Sequence, residues 1–122
     1  MLITQVISRL EVEGIHRWKT CPIEEVYYLR EYHRHLFKIE CRKTVQHNDR
    51  DVEFIELSHR IKSYLNQKYY DEKQKCLLFG DKSCETISTD LVTVFDLDSC
   101  ETNEDGEGGA VVTNNNRGVS NG

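Results

Sequence analysis

The sequence predicts an α+β domain: a four-stranded antiparallel sheet with two helices packed on one face, in the order β-β-α-α-β-β. Three observations predict it. The first third alternates apolar and polar residues with a period of two, the middle repeats its apolar residues at helical spacing, and a glycine-rich turn near the end separates two short apolar stretches.

The first strand ends near Val12, in the alternating run Arg9-Leu10-Glu11-Val12-Glu13, and is followed by Gly14-Ile15-His16-Arg17-Trp18. A connection over residues 19–32 holds the single proline, Pro22, and the apolar stretch Val26-Tyr27-Tyr28-Leu29. The second strand spans about residues 35–45. Phe37, Ile39 and Cys41 fall on one face and Lys38, Glu40 and Arg42 on the other, as a half-buried strand requires. Residues 46–51 are a polar turn.

Phe54, Leu57, Ile61, Tyr64 and Leu65 then mark the buried stripe of the first helix. A polar connection runs through Lys75 to the apolar Cys76-Leu77-Leu78-Phe79 and the turn Gly80-Asp81-Lys82. Ser83 is a good N-cap for the second helix, whose stripe is Ile87, Leu91, Val94 and Phe95, and Asp96-Leu97-Asp98 ends it. A strand over about residues 100–103, a hairpin-like turn at Asp105-Gly106-Glu107-Gly108-Gly109 and a return strand at Ala110-Val111-Val112 complete the sheet. Residues 1–112 form one domain, and the Asn/Gly/Ser-rich residues 113–122 are expected to be a flexible tail. Such a sheet leaves its edge strands open, which favours assembly with other subunits.

Composition narrows the function classes. The chain has 122 residues, 38% hydrophobic and 30% charged, enough for one core. No apolar run approaches the roughly 20 residues of a membrane helix, and Met1-Leu2-Ile3-Thr4 opens directly into patterned sequence. The expectation is a cytoplasmic protein without a signal peptide and without a membrane partner. A net charge of −5 argues against binding a nucleic acid polymer. Bases nonetheless cluster between Arg17 and Lys62, whereas residues 96–107 carry six acids and no base. Five cysteines (Cys21, Cys41, Cys76, Cys84, Cys100), without a CxxC pair, do not make a disulfide framework.

Three histidines carry the chemistry. His33 and His35 lie two residues apart, so a strand aims both imidazoles at one side. His16 follows its own alternating strand and needs only to lie alongside. Three protein nitrogens with one position left open is the arrangement that holds a catalytic zinc.

Four motifs, Gly14-Ile15-His16-Arg17, His33-Arg34-His35-Leu36-Phe37, Asp51-Val52-Glu53-Phe54-Ile55-Glu56-Leu57 and Ser83-Cys84-Glu85-Thr86-Ile87, resemble in kind and order those of the 6-pyruvoyltetrahydropterin and 6-carboxytetrahydropterin synthases. The resemblance covers roughly residues 5–112. It implies a tunnelling fold, ring-like homo-oligomers with pockets between subunits, and zinc on His16, His33 and His35. It also implies a glutamate that holds a pterin- or purine-like ring. The matching position is Glu104, with Glu101 as the second choice, because one carboxylate can accept two hydrogen bonds from an amino-pyrimidinone edge.

The departures bear on activity. The family's catalytic cysteine precedes the paired histidines, where this chain reads Tyr27-Tyr28-Leu29-Arg30-Glu31-Tyr32, and its Leu-Asp-His is absent where Tyr69-Tyr70-Asp71-Glu72-Lys73 stands. Cys21, Tyr27 or Asp71 would have to move the proton, with His47 and His59 as possible substitutes. Arg17, Arg34 and Arg50 would suit a phosphate. The expectation is a zinc-dependent lyase or hydrolase acting on a pterin or another guanine-like heterocycle. The alternatives are a non-catalytic protein that sequesters a purine nucleotide, and a purely structural oligomer.

Overall fold

The computed structural model describes residues 1–115, and it replaces the four-stranded sheet with a larger, mixed one. Six strands, β1 (Thr4–His16), β2 (His33–Val45), β3 (Tyr70–Asp71), β4 (Cys76–Gly80), β5 (Ser99–Glu104) and β6 (Gly108–Thr113), lie in the order β3-β4-β1-β2-β5-β6. Every neighbouring pair is antiparallel except β1 and β4, which run parallel. The helices are α1 (Phe54–Tyr69), α2 (Cys84–Phe95) and a short 3₁₀ helix, Glu24–Arg30. The expected all-antiparallel sheet with two helices, and with it the tunnelling fold, is therefore overturned. The physical reason lies in Cys76-Leu77-Leu78-Phe79. A short apolar run carries no periodicity that separates a strand from a connection. Here it is a strand, placed beside Gly14 and Ile15 of β1.

The four strands expected from the sequence, two from alternation and two from the late glycine-rich turn, are all present, and β1 and β2 are longer than expected. β1 continues past Val12 to His16, and β2 begins at His33. Pairing runs from Thr4↔Val45 to His16↔His33, so the histidines close the last rung of the central hairpin. Ser8, Leu10, Val12, Gly14 and His16 share one face of the sheet with Cys41, Ile39, Phe37, His35 and His33.

Both helices pack on that face. One apolar cluster joins Leu10, Phe37, Ile39 and Cys41 of the central strands to Leu57, Ile61 and Leu65 of α1 and to Ile87 and Leu91 of α2. On α2 the buried stripe takes in Val92, while Val94 is 48% exposed. On α1 the expected Phe54 is exposed and Tyr69 is buried. Ser83 caps α2 as its chemistry suggests, accepting from the Thr86 N–H, and Asp96 ends it in a left-handed conformation at φ 53°. At the N-terminus of α1 the Glu53 carboxylate accepts from the N–H groups of Ile55 and Glu56.

The domain boundary shifts slightly. Thr113, assigned to the tail, pairs with Ser99, and the Asn114 N–H donates to the Asp98 carbonyl at 2.8 Å. The remainder of the expected flexible tail, residues 116–122, lies outside the described residues. Among the described residues no helix is long and apolar enough to cross a membrane.

Candidate metal centre

The core-facing side of the sheet ends in polar residues. Beyond Phe37 and Val12, β2 and β1 continue as His35, His33 and His16, and β5 contributes Glu104, whose register partner is Phe37. Gly14 makes room there: a Cβ on it would lie 2.7 Å from the Phe79 ring and 3.1 Å from that of Phe37. The Phe37 ring in turn packs edge-on against His16 and His35, with centroids 5.1 and 5.8 Å away. An apolar floor thus supports the imidazoles.

One ring nitrogen from each of His16, His33 and His35 lies within 4.8 Å of the other two, so the three can hold a metal ion. Each ring is fixed from behind. His16 Nδ1 donates to the Lys82 carbonyl at 2.8 Å, His33 Nδ1 to the Glu31 carbonyl at 2.9 Å, and His35 Nδ1 to Asp105 Oδ2 at 2.7 Å. A carbonyl oxygen only accepts, so Nδ1 carries the proton and Nε2 of the neutral ring presents a lone pair. Backing by carbonyls and a carboxylate is the outer-shell arrangement of metal-binding histidines. His16 Nε2 and His35 Nε2 are both buried without a hydrogen-bond partner, the donor atoms a metal would use.

Glu104 belongs to this cluster. Its Oε2 is 3.1 Å from His16 Nε2 and its Oε1 is 3.1 Å from His35 Nε2, yet neither contact has hydrogen-bond geometry. The Cys84 thiol donates to Glu104 Oε2 across 3.7 Å.

The electrostatics follow from these contacts. Burial opposes the charged form of His16, but the Glu104 carboxylate and the Lys82 carbonyl outweigh it and raise its pKa. His33 is lowered, chiefly by burial. His16 holds the Glu104 carboxyl below its ordinary range, against the effect of burial. Asp105 is lowered first by the Leu36 N–H and then by His35. Burial and the Glu104 charge push the Cys84 thiol up to about 12, which keeps it protonated.

His16 and His33 open onto a pocket of about 460 Å³. Trp18 and Leu29 give it apolar lining, and Ser83, Cys84 and Glu85 at the start of α2, with Arg17, Asp81 and Lys82, line it as well. Arg17 is paired with Asp81 at 3.3 Å.

The other residues singled out from sequence lie elsewhere. Glu101 falls three positions before Glu104, so the pleat turns it to the opposite face, where its carboxylate accepts from Asn103 Nδ2. Arg34 is likewise out of step with His33 and His35. It pairs with Glu13 at 2.6 Å and donates to the Gln74 carbonyl. Asp71 caps a turn by accepting from the Gln74 N–H and shares a separate depression with Arg34 and His33. Cys21 is buried, its thiol donating toward the Ile23 and Val26 carbonyls, and it does not line the pocket. Tyr27 is covered by the Arg30 guanidinium, 4.0 Å from its ring centre. His47 is tied to its own turn by the Asp49 N–H, and His59 sits exposed on α1.

Sequence reasoning missed Asp105, Cys84 and the Lys82 carbonyl. Asp105 had a signal: an Asp-Gly pair places its side chain at a hairpin end, next to the strand that carries His35. Lys82 had none, because its approach to His16 depends on the parallel pairing of β4 with β1.

No family model matches the chain, and no curated protein matches it. Among solved structures it is similar to that of an uncharacterized protein from Wolinella succinogenes, at 12% sequence identity and a TM-score of 0.67, covering 93% of this chain and 99% of that one. At that identity the similarity shows a shared fold alone.

Proposed function

We propose that this chain is a zinc-binding protein that acts on a pterin- or purine-like small molecule in the pocket beside His16 and His33. The reading is carried by one observation: three histidines with Nδ1 anchored from behind, two of whose Nε2 atoms are buried and unpartnered. Zinc suits neutral imidazole donors, and when bound it supplies Lewis acidity or an activated water. The substrate class comes from the resemblance of the four sequence motifs to tetrahydropterin synthases. The pocket supports it in size and character, with Trp18 as a flat wall and Glu85 as a lining carboxylate outside the histidine cluster. A homo-oligomer is part of the same reading, since β6 leaves an open sheet edge that carries Val111, 61% exposed.

A second reading, a non-catalytic protein that sequesters a purine nucleotide, is favoured by the Cys84 thiol. It is the one cysteine in the pocket and it is held protonated, while Cys21 lies outside.

Metal content per subunit, measured on protein purified without a histidine tag, tests the common core of both readings. Near-stoichiometric zinc, lost in a His33→Ala/His35→Ala variant that still folds, supports it; metal-free protein that also fails to take up added zinc sinks it. Native mass spectrometry of the same preparation then separates the readings. A retained nucleotide favours sequestration, and turnover of an added pterin favours catalysis.

A further inference from the structure

We infer that Glu104 is itself a metal ligand, so that the centre is built from three histidines and one carboxylate. The inference rests on the three-histidine reading and adds to it.

Glu104 was expected to grip the edge of a heterocycle, and its position speaks against that. Both carboxylate oxygens are already turned to the histidines, each 3.1 Å from a different Nε2. Neither contact has hydrogen-bond geometry, and with Nδ1 of each ring turned to Lys82 and Asp105 it is the Nε2 atoms that face the carboxylate. Acceptor atoms brought this near need a positive centre between them. A proton on Nε2 supplies it in the metal-free chain, and a bound ion takes the proton's place. The separation is also that of neighbouring ligands on one ion: donors about 2.0–2.2 Å from a zinc lie roughly 3–3.5 Å from each other.

Among the described residues, Glu104 is in contact with His16, His35 and the neutral thiol of Cys84 and with no Arg or Lys side chain. Of the basic residues lining the pocket, Arg17 is paired with Asp81. A half-buried carboxylate among neutral imidazoles is the donor that offsets one charge of a divalent ion. Its place is firmly set. Glu104 pairs with Phe37 in the sheet, and the next residue is fastened to β2 twice, with the Asp105 N–H donating to the Leu36 carbonyl and Asp105 Oδ1 accepting from the Leu36 N–H, both at 2.9 Å. A small molecule entering the pocket must then add to the ion beside Glu104 or displace it.

The test combines zinc affinity with infrared difference spectra of the full chain, recorded before and after zinc uptake, for the wild type, Glu104→Gln and Asp105→Asn. The expected result is a carboxylate stretch that shifts on zinc uptake in the wild type, persists in Asp105→Asn and disappears in Glu104→Gln, with affinity at least 100-fold weaker in Glu104→Gln. Equal zinc affinity and an unchanged difference spectrum in Glu104→Gln overturn the inference and leave the three-histidine centre standing. No zinc uptake by the wild type overturns both. If Glu104→Gln does not fold, the spectrum of the double variant Asp105→Asn/Glu85→Gln decides: with Asp105 beside His35 and Glu85 in the pocket lining both neutralised, a shifted carboxylate band supports Glu104 and its absence rejects it.

Discussion

The histidines of the cluster are held by two kinds of neighbour, and the difference predicts different sensitivities. His35 relies on a side chain, Asp105, whereas His16 and His33 rely on main-chain carbonyls that no substitution removes. Asp105→Asn should therefore weaken zinc binding by about 10–100-fold, the usual effect of losing an outer-shell partner, as read by competition with a chelating dye. Glu101→Gln, on the opposite face, should leave affinity unchanged in the same assay. Proton competition gives a further outcome. Without metal, His16 and Glu104 stabilise each other. The Glu104 contribution is present above its ordinary 4.5 and is lost as pH falls through its depressed folded value. The His16 contribution is present below 6.5 and is lost as pH rises through its raised folded value. Their joint contribution is thus greatest in mildly acidic solution. Zinc requires the imidazoles neutral, so the rise in Tm on adding zinc should grow from pH 5 to pH 8, as followed by thermal melts with and without chelator.

At the scale of elements, alternation made the central hairpin legible, and it made the histidine face legible as well. Residues two apart on β2 and the partner of His33 on β1 had to share a side, and they do. The same rule explains why Arg34 and Glu101 fell outside the site, since both are out of phase with it. Two things could not be read. The 3₁₀ helix and β3 are too short to have a period, and β4 is an apolar run that local pattern leaves ambiguous. The exposure of Phe54 and Val94 was equally hidden, because a helical stripe read from sequence is wider than the part a neighbouring element covers. Gly14 shows how closely the elements fit. A methyl group there meets Phe79 at 2.7 Å, so Gly14→Ala should cost about 1–3 kcal/mol by overpacking. Denaturant melts read the loss in stability.

For the whole molecule, the parallel pairing of β4 with β1 decides both topology and site. It closes after 60 or so intervening residues, by the Arg17 N–H donating to the Gly80 carbonyl at 2.9 Å, and it carries Lys82 to His16. Time is the consequence. Long-range, parallel contacts form late in folding, after local hairpins have closed. The β1–β2 hairpin brings the three imidazoles near one another early, but His16 acquires its orienting carbonyl only when β4 docks. An ion bound by these three histidines would in this sense be a clock for the chain's own maturation. During refolding in the presence of a cobalt(II) probe, the visible absorption of the bound ion should rise after most of the far-ultraviolet circular dichroism has recovered, and a simultaneous rise would show that the hairpin alone suffices. In a cell, an ion captured at that moment would mark a finished protein and pass over an incomplete one.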